Sequence, residues 1–159
     1  MCIRDRDEAA EEAEDAETMQ DTVRVHVRVR PCEDEEACAW VTASEPATIM
    51  LEPSLAAART QPNVGAAHRF DGVHTGTSNA EVYAALARPL VQSVLQGYDA
   101  VVFAYGQTAS GKTYTLSGDE AGNEAGITSR AVQDLFQGIR QGSAQREYLL
   151  RVSYLEIYN

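Results

Sequence analysis

The chain has a single lysine, three cysteines, one tryptophan and no apolar run long enough to cross a bilayer. A spanning helix needs about 18 consecutive apolar residues, so no membrane partner is expected. Cys2, Cys32 and Cys38 are odd in number and lack C-x-x-C spacing, which argues against a disulfide framework and a zinc site. Free thiols in a reducing compartment are the expectation. A basic excess is also missing: Lys+Arg total 13 against 24 for Asp+Glu, a net charge of -11. That balance excludes the phosphate-backbone binders, so no nucleic acid is expected either. The N-terminus has no apolar signal core and is rich in acids, unlike organelle transit peptides, which makes the cytoplasm or nucleus the default address. His26, His68 and His74 share no ligand spacing, and no metal is assigned to them.

What remains is one domain's worth of chain, 159 residues with 44% hydrophobic content, enough to build a core. The charge is uneven. Residues 1–21 hold two arginines against nine acids, and the other 138 residues carry 11 basic and 15 acidic groups. Residues 1–21 therefore read as an acidic, disordered leader, solvated and self-repelling. The opening MCIRDR differs in character from the acid-rich run after it and reads as a cloning or assembly leftover.

Order is expected from Thr22. Val23, Val25, Val27 and Val29 alternate with Arg24, His26, Arg28 and Arg30, the period of a strand with one buried face, and Pro31 ends it. Residues 32–47 read as loop, and Thr48 to Leu51 as a short strand. Phe70-Asp71 introduces the next ordered element. Ser78 and Glu81 have capping-box spacing ahead of a helix with Val82, Leu86, Leu90 and Val94 on one face; Pro89 should kink it and Gly97 should stop it. Ala100 to Tyr105 reads as a buried strand. A polar loop from Gly118 to Gly126 leads to a helix near Arg130 to Ile139. The ending, YLLRVSYLEIYN, reads as another strand, and an apolar strand at the extreme end suggests a chain that continues.

Residues 106–113, GQTASGKT, match G-x-x-x-x-G-K-[ST] with Gly106, Gly111, Lys112 and Thr113. Glycines let the backbone wrap phosphate oxygens without a Cβ in the way, and successive N–H groups converge on the anion. Gln107, Thr108, Ala109 and Ser110 form the loop between them. Lys112 brings a compact positive charge to the outer phosphates, and Thr113 offers a hydroxyl to the escorting magnesium ion. The expected ligands are ATP and Mg2+. Lys112 is the chain's only lysine against twelve arginines, so its place in this motif is hard to ascribe to chance.

The segments VRVHVRVRP, HRFDGVHTGTSNAEVY, LQGYDAVVF, AYGQTASGKTYTLSG and YLLRVSYLEIYN together resemble the N-terminal part of a kinesin motor domain, in the family's order, over residues 22–159. Within the family, VRVRP, TASGKTYT and the ending look most like the centromere-associated group. The resemblance implies an α/β P-loop NTPase fold of kinesin motor type, a mixed central sheet flanked by helices, truncated at the C-terminus. It implies ATP hydrolysis coupled to microtubule (tubulin) binding, a cytoplasmic and cytoskeletal address extending to spindle or kinetochore, and a parent dimerised through a coiled coil outside this stretch. By motif position it places Arg28, Arg30 and Pro31 of R-x-R-P, with Tyr114, around the adenine. Guanidinium and phenol planes can stack on a purine. From the residues alone, a solvated strand face for Arg28 and a core aromatic for Tyr114 stay open.

The departures are His74 where the family usually has an aromatic, Asn79 where it has glutamine, and Ser129 where proline precedes the arginine. The family's N-x-x-S-S-R and D-x-A-G-S-E switch motifs do not occur in these 159 residues. Asp119 to Gly122 fits D-x-x-G but comes after a polar loop, so it is not assigned to the metal. Two readings stay open: the N-terminal part of a kinesin ATPase, or a P-loop protein or fragment that binds nucleotide without motor activity. An unrelated small-molecule kinase is disfavoured by the kinesin-like flanks.

Overall fold

The computed structural model describes residues 23–31, 39–43, 46–52, 67–119, 121–142 and 146–157. The acidic leader, all three cysteines and the last two residues lie outside them.

Two small sheets form. β1 (His26–Val29) pairs in parallel with β5 (Gly72–Thr75), His26 opposite Gly72 and Arg28 opposite His74. Parallel strands need a long crossover. Here it carries a second, antiparallel sheet of β2 (Trp40–Ala43), β3 (Thr48–Leu51) and β4 (His68–Arg69). β3 lies where the sequence places it. β2 falls in a stretch whose sequence reads as loop: four residues inside a polar, acidic run give too short a pattern to read, and it is the pairing with β3 that makes them a strand. β1 is shorter than the alternating pattern suggests. Val23 is 84% and Val25 49% exposed, while His26 to Val29 are half-buried on both faces, because only the last residues of the pattern meet β5.

The helical layer holds the core. α1 (Asn79–Val82) starts where Ser78 Oγ accepts the Glu81 N–H at 3.3 Å. A π-turn, Tyr83–Ala87, comes next, and α2 (Arg88–Gln96) completes the run. The irregularity expected at Pro89 thus falls one turn earlier, where proline's missing N–H and its clash with the preceding turn are absorbed by the wider winding. Gly97 stops α2 at φ 105°, the left-handed cap that favours glycine. α3 (Lys112–Ser117) is short, and α4 (Ile127–Gly142) is longer than its expected core of Arg130 to Ile139. Val82, Tyr83, Ala87 and Ile127 are buried together, with Leu86, Leu116 and Ala131 packed against them. Burial contributes about 1.5–3 kcal/mol for each large side chain. Tyr83 also ties the π-turn to α4: its hydroxyl donates to Asp134 Oδ2 at 2.7 Å, beside Arg88. Burial and that carboxylate push the Tyr83 phenol up to about 12.

The expected strands at 100–105 and 148–157 need correction. Both segments lie outside every strand ladder among the described residues, with Val101 81%, Phe103 77% and Val152 96% exposed. A strand is stabilised by its neighbour's N–H and C=O groups, and none stands beside these segments among the described residues.

Candidate functional site

Segment 100–105 delivers the chain into the glycine-rich loop. A Cβ on Gly106 would run into the Ser110 hydroxyl, so a larger residue there would require that side chain to turn aside. The turn closes with the Ser110 N–H donating to Gln107 O at 3.2 Å. Ala109 sits at φ 62°, a left-handed value rare for a residue with a side chain, and Gly111 at φ 95° caps α3. Gln107, Thr108, Ala109 and Ser110 form the exposed tip. Lys112 then reaches back across the loop, its Nζ donating to Gly106 O at 2.9 Å and Gln107 O at 2.8 Å. The amine is therefore held at the mouth of the loop by carbonyls that carry only partial negative charge. Thr113 lies next to it on the exposed side of α3.

The R-x-R-P segment comes to the same place from a distant part of the chain. Arg30 donates to Ala109 O at 3.3 Å. Arg28 points inward, its guanidinium carbon 5.2 Å from the centre of the Tyr114 ring. Its Nη1 donates to Thr115 Oγ1 at 3.0 Å and to Asn79 Oδ1 at 2.5 Å. Tyr114 is oriented in turn by its hydroxyl, which donates to Thr77 O at 2.8 Å. A cavity of about 600 Å³ is lined by Arg28, Arg30, Pro31, Ser110, Gly111, Lys112 and Tyr114. That lies within the size range of small-molecule sites. Gly106, Gln107, Thr108, Ala109 and Thr113 belong to the loop and helix start without lining this cavity.

Two groups at the site had no clear signal in the sequence. His26 and His74, from neighbouring strands, are joined by a 2.9 Å contact from Nδ1 to Nε2. Their planes differ by 11° and their centres lie 5.2 Å apart, the separation of two near-coplanar rings linked edge to edge through one N–H···N bond. Burial lowers both pKa values; Arg24 lowers His26 further while Asp71 raises it, and His26 and Arg28 lower His74 while Glu81 raises it. The second group is the fully buried Asn79, whose N–H donates to Glu124 Oε1 at 2.7 Å; Glu124 in turn pairs with Arg130. Register across β1 and β5 could have paired the histidines, had the strands been matched. Nothing in the sequence marks Asn79 as buried.

The model of the kinesin motor domain matches residues 28–159. The centromere-associated protein E of Homo sapiens is 50% identical over 91 residues, covering 57% of this chain and 3% of that protein. The kinesin-like protein KIN-7N of Arabidopsis thaliana is 43% identical over 137 residues, 85% of this chain and 16% of its own length. KIN-7I of Oryza sativa subsp. japonica is 41% identical over 140 residues, 86% of this chain and 10% of its own length. The chain thus spans 3% to 16% of the length of these relatives.

Proposed function

This chain belongs to the kinesin motor-domain family, and on that premise we propose that it is the ATP-binding, N-terminal part of a microtubule motor ATPase. In this reading residues 22–159 belong to the motor domain and 1–21 precede it as a leader. The observation that carries it is convergence: R-x-R-P and the glycine-rich loop, far apart in sequence, line one cavity with the chain's only lysine at its edge. The donor set suits a magnesium nucleotide. Loop amides and the Lys112 ammonium would meet the outer phosphates, with the Thr113 hydroxyl beside them as a magnesium ligand. Magnesium, when bound, would neutralise charge on the phosphate oxygens. Arg28, Arg30, Pro31 and Tyr114 would flank the purine. Lys112 would neutralise charge on the transferring phosphate and Thr113 would help to hold its magnesium ion, whereas positioning of the attacking water belongs to the switch motifs, so this stretch alone would not turn over.

The partner of the whole motor would be the microtubule, with dimerisation through a coiled coil outside these residues. The family supports a cytoskeletal address, and the centromere association in the human relative's name supports a kinetochore one. An ATP-derived acylating probe tests the site directly, because Lys112 is the only internal amine in these 159 residues. Labelling of Lys112 is expected, and excess Mg-ATP should suppress it. Labelling that Mg-ATP leaves unchanged would remove the phosphate-site reading.

A further inference from the structure

We propose that Asn79 is a positioning residue for the base: it fixes the Arg28 guanidinium against Tyr114 and so sets the purine-facing wall of the cavity. The proposal rests on the reading that Arg28 and Tyr114 meet the base.

Asn79 is 0% exposed and has the largest fully buried side chain among the described residues. A buried amide is costly unless all its polar atoms are satisfied, and here each of them ties down a different element. Oδ1 accepts from Arg28 on β1, Nδ2 donates to Tyr114 O in α3 at 2.9 Å, and the main-chain N–H is held by Glu124 from the loop before α4. The orientation of the amide is set by its partners, since a guanidinium can only donate and a carbonyl can only accept. One side chain therefore touches both halves of the Arg28–Tyr114 pair and sets the distance between them.

Few other residue types could do this. Aspartate would offer two acceptors and turn one against the Tyr114 carbonyl; leucine would offer neither group. Without the bridge Arg28 keeps one tether to α3, Thr115 Oγ1, and a 3.4 Å contact to Gly76 O, but it loses its shortest hydrogen bond and the second tie to α3 that runs through Asn79 to the Tyr114 main chain. A long, rotamer-rich side chain held by fewer bonds spends less time over the ring. Asn79 itself does not line the cavity, so it acts only through Arg28 and Tyr114.

The test separates base from phosphate by comparing ATP with inorganic tripolyphosphate, which has no base, as competitors for a fluorescent nucleotide on the full-length protein. Asn79→Ala should weaken ATP about ten-fold, the size of one stacked cationic contact, and leave tripolyphosphate within about two-fold. Asn79→Gln keeps both hydrogen-bonding groups and should restore ATP binding to within about three-fold of the parent. If circular dichroism shows Asn79→Ala unfolded, Asn79→Ser, too short to bridge, takes its place with the same expectation. Equal losses for ATP and tripolyphosphate would reduce Asn79 to a general structural role and overturn the proposal. Arg28→Ala, run in parallel, separates the two levels. If it changes the ATP-to-tripolyphosphate ratio and the Asn79 variants do not, only the positioning role falls; if it leaves the ratio unchanged, the purine-wall reading falls and the positioning role with it.

Discussion

Lys112 spans the mouth of its loop by bonding two carbonyls that each offer only a dipole, which is a weaker partner than a phosphate carrying full charge. Exchange of those carbonyls for phosphate oxygens is favourable, and an alanine there has nothing to exchange. Lys112→Ala in the full-length protein should lower ATP turnover on the order of a hundred-fold or more, measured by steady-state phosphate release. The two histidines make a different residue-scale prediction. Both rings have lowered pKa values, with burial as the first cause, so they resist a proton that the unfolded chain accepts. Stability is therefore full above the ordinary histidine value of about 6.5 and declines as pH falls from there through the lower folded values. Geometry acts in the same direction: the bond between the rings holds one proton, and a second would set two donors face to face. The urea midpoint should be lower at about pH 5.5 than at about pH 7.5. His74→Phe, which removes one partner, should shrink that difference; an unchanged pH dependence in this variant would show that the pair does not carry it.

At the scale of elements, the loop joining α3 to α4 closes through very tight backbone approach. A Cβ on Gly126 would collide with the Leu116 carbonyl and the Gly118 nitrogen, main-chain atoms that cannot rotate aside. The atoms nearest a Cβ on Gly138, in α4, belong to the Leu95 side chain, whose methyls can move. Gly126→Ala should consequently destabilise towards the upper end of the usual range of about 0.5–3 kcal/mol, and Gly138→Ala less, as read from paired denaturation curves. A ranking in the opposite order would mean that the loop yields more easily than the helix pair. The contrast also bears on what a sequence can disclose. Ser78, Gly97 and the glycine-rich loop act through neighbours a few residues away, so their roles can be read from spacing alone. α4 and β3 also stand near their expected places. β2 cannot be read, since Trp40 to Ala43 become a strand only by pairing with Leu51 to Thr48. The 100–105 and 148–157 segments fail in the other direction: their apolar, β-branched pattern is that of strands, but a pattern cannot supply a ladder partner. Within the site, the motif residues are visible in the sequence, whereas the burial of Asn79 and the meeting of His26 with His74 depend on how distant elements pack.

At the scale of the whole molecule, binding and chemistry separate. Arg28, Arg30, Pro31, Ser110, Gly111, Lys112 and Tyr114 line one cavity, yet neither the N-x-x-S-S-R nor the D-x-A-G-S-E motif occurs in the 159 residues. In phosphoryl transfer of this kind the phosphate-binding loop neutralises charge while other groups orient the water. The 159-residue chain should thus show no steady-state ATPase above background, and turnover at motor-like rates would place the water-orienting groups inside it. The same reasoning extends to the track. Tubulin presents an acidic surface, so a partner needs concentrated positive charge, and this chain carries -11 overall. Setting the leader aside leaves 11 basic against 15 acidic groups, still the wrong sign for attraction. Two of the arginines are also paired with acids, Arg88 with Asp134 and Arg130 with Glu124. Each of these two pairs cancels much of the field that its arginine would offer a docking partner. Cosedimentation of the 159-residue chain with microtubules at low salt should accordingly show weak or no binding, and the full-length protein is expected to bind. Saturable micromolar binding that weakens as salt rises would locate a tubulin-facing patch within these residues and reverse the expectation.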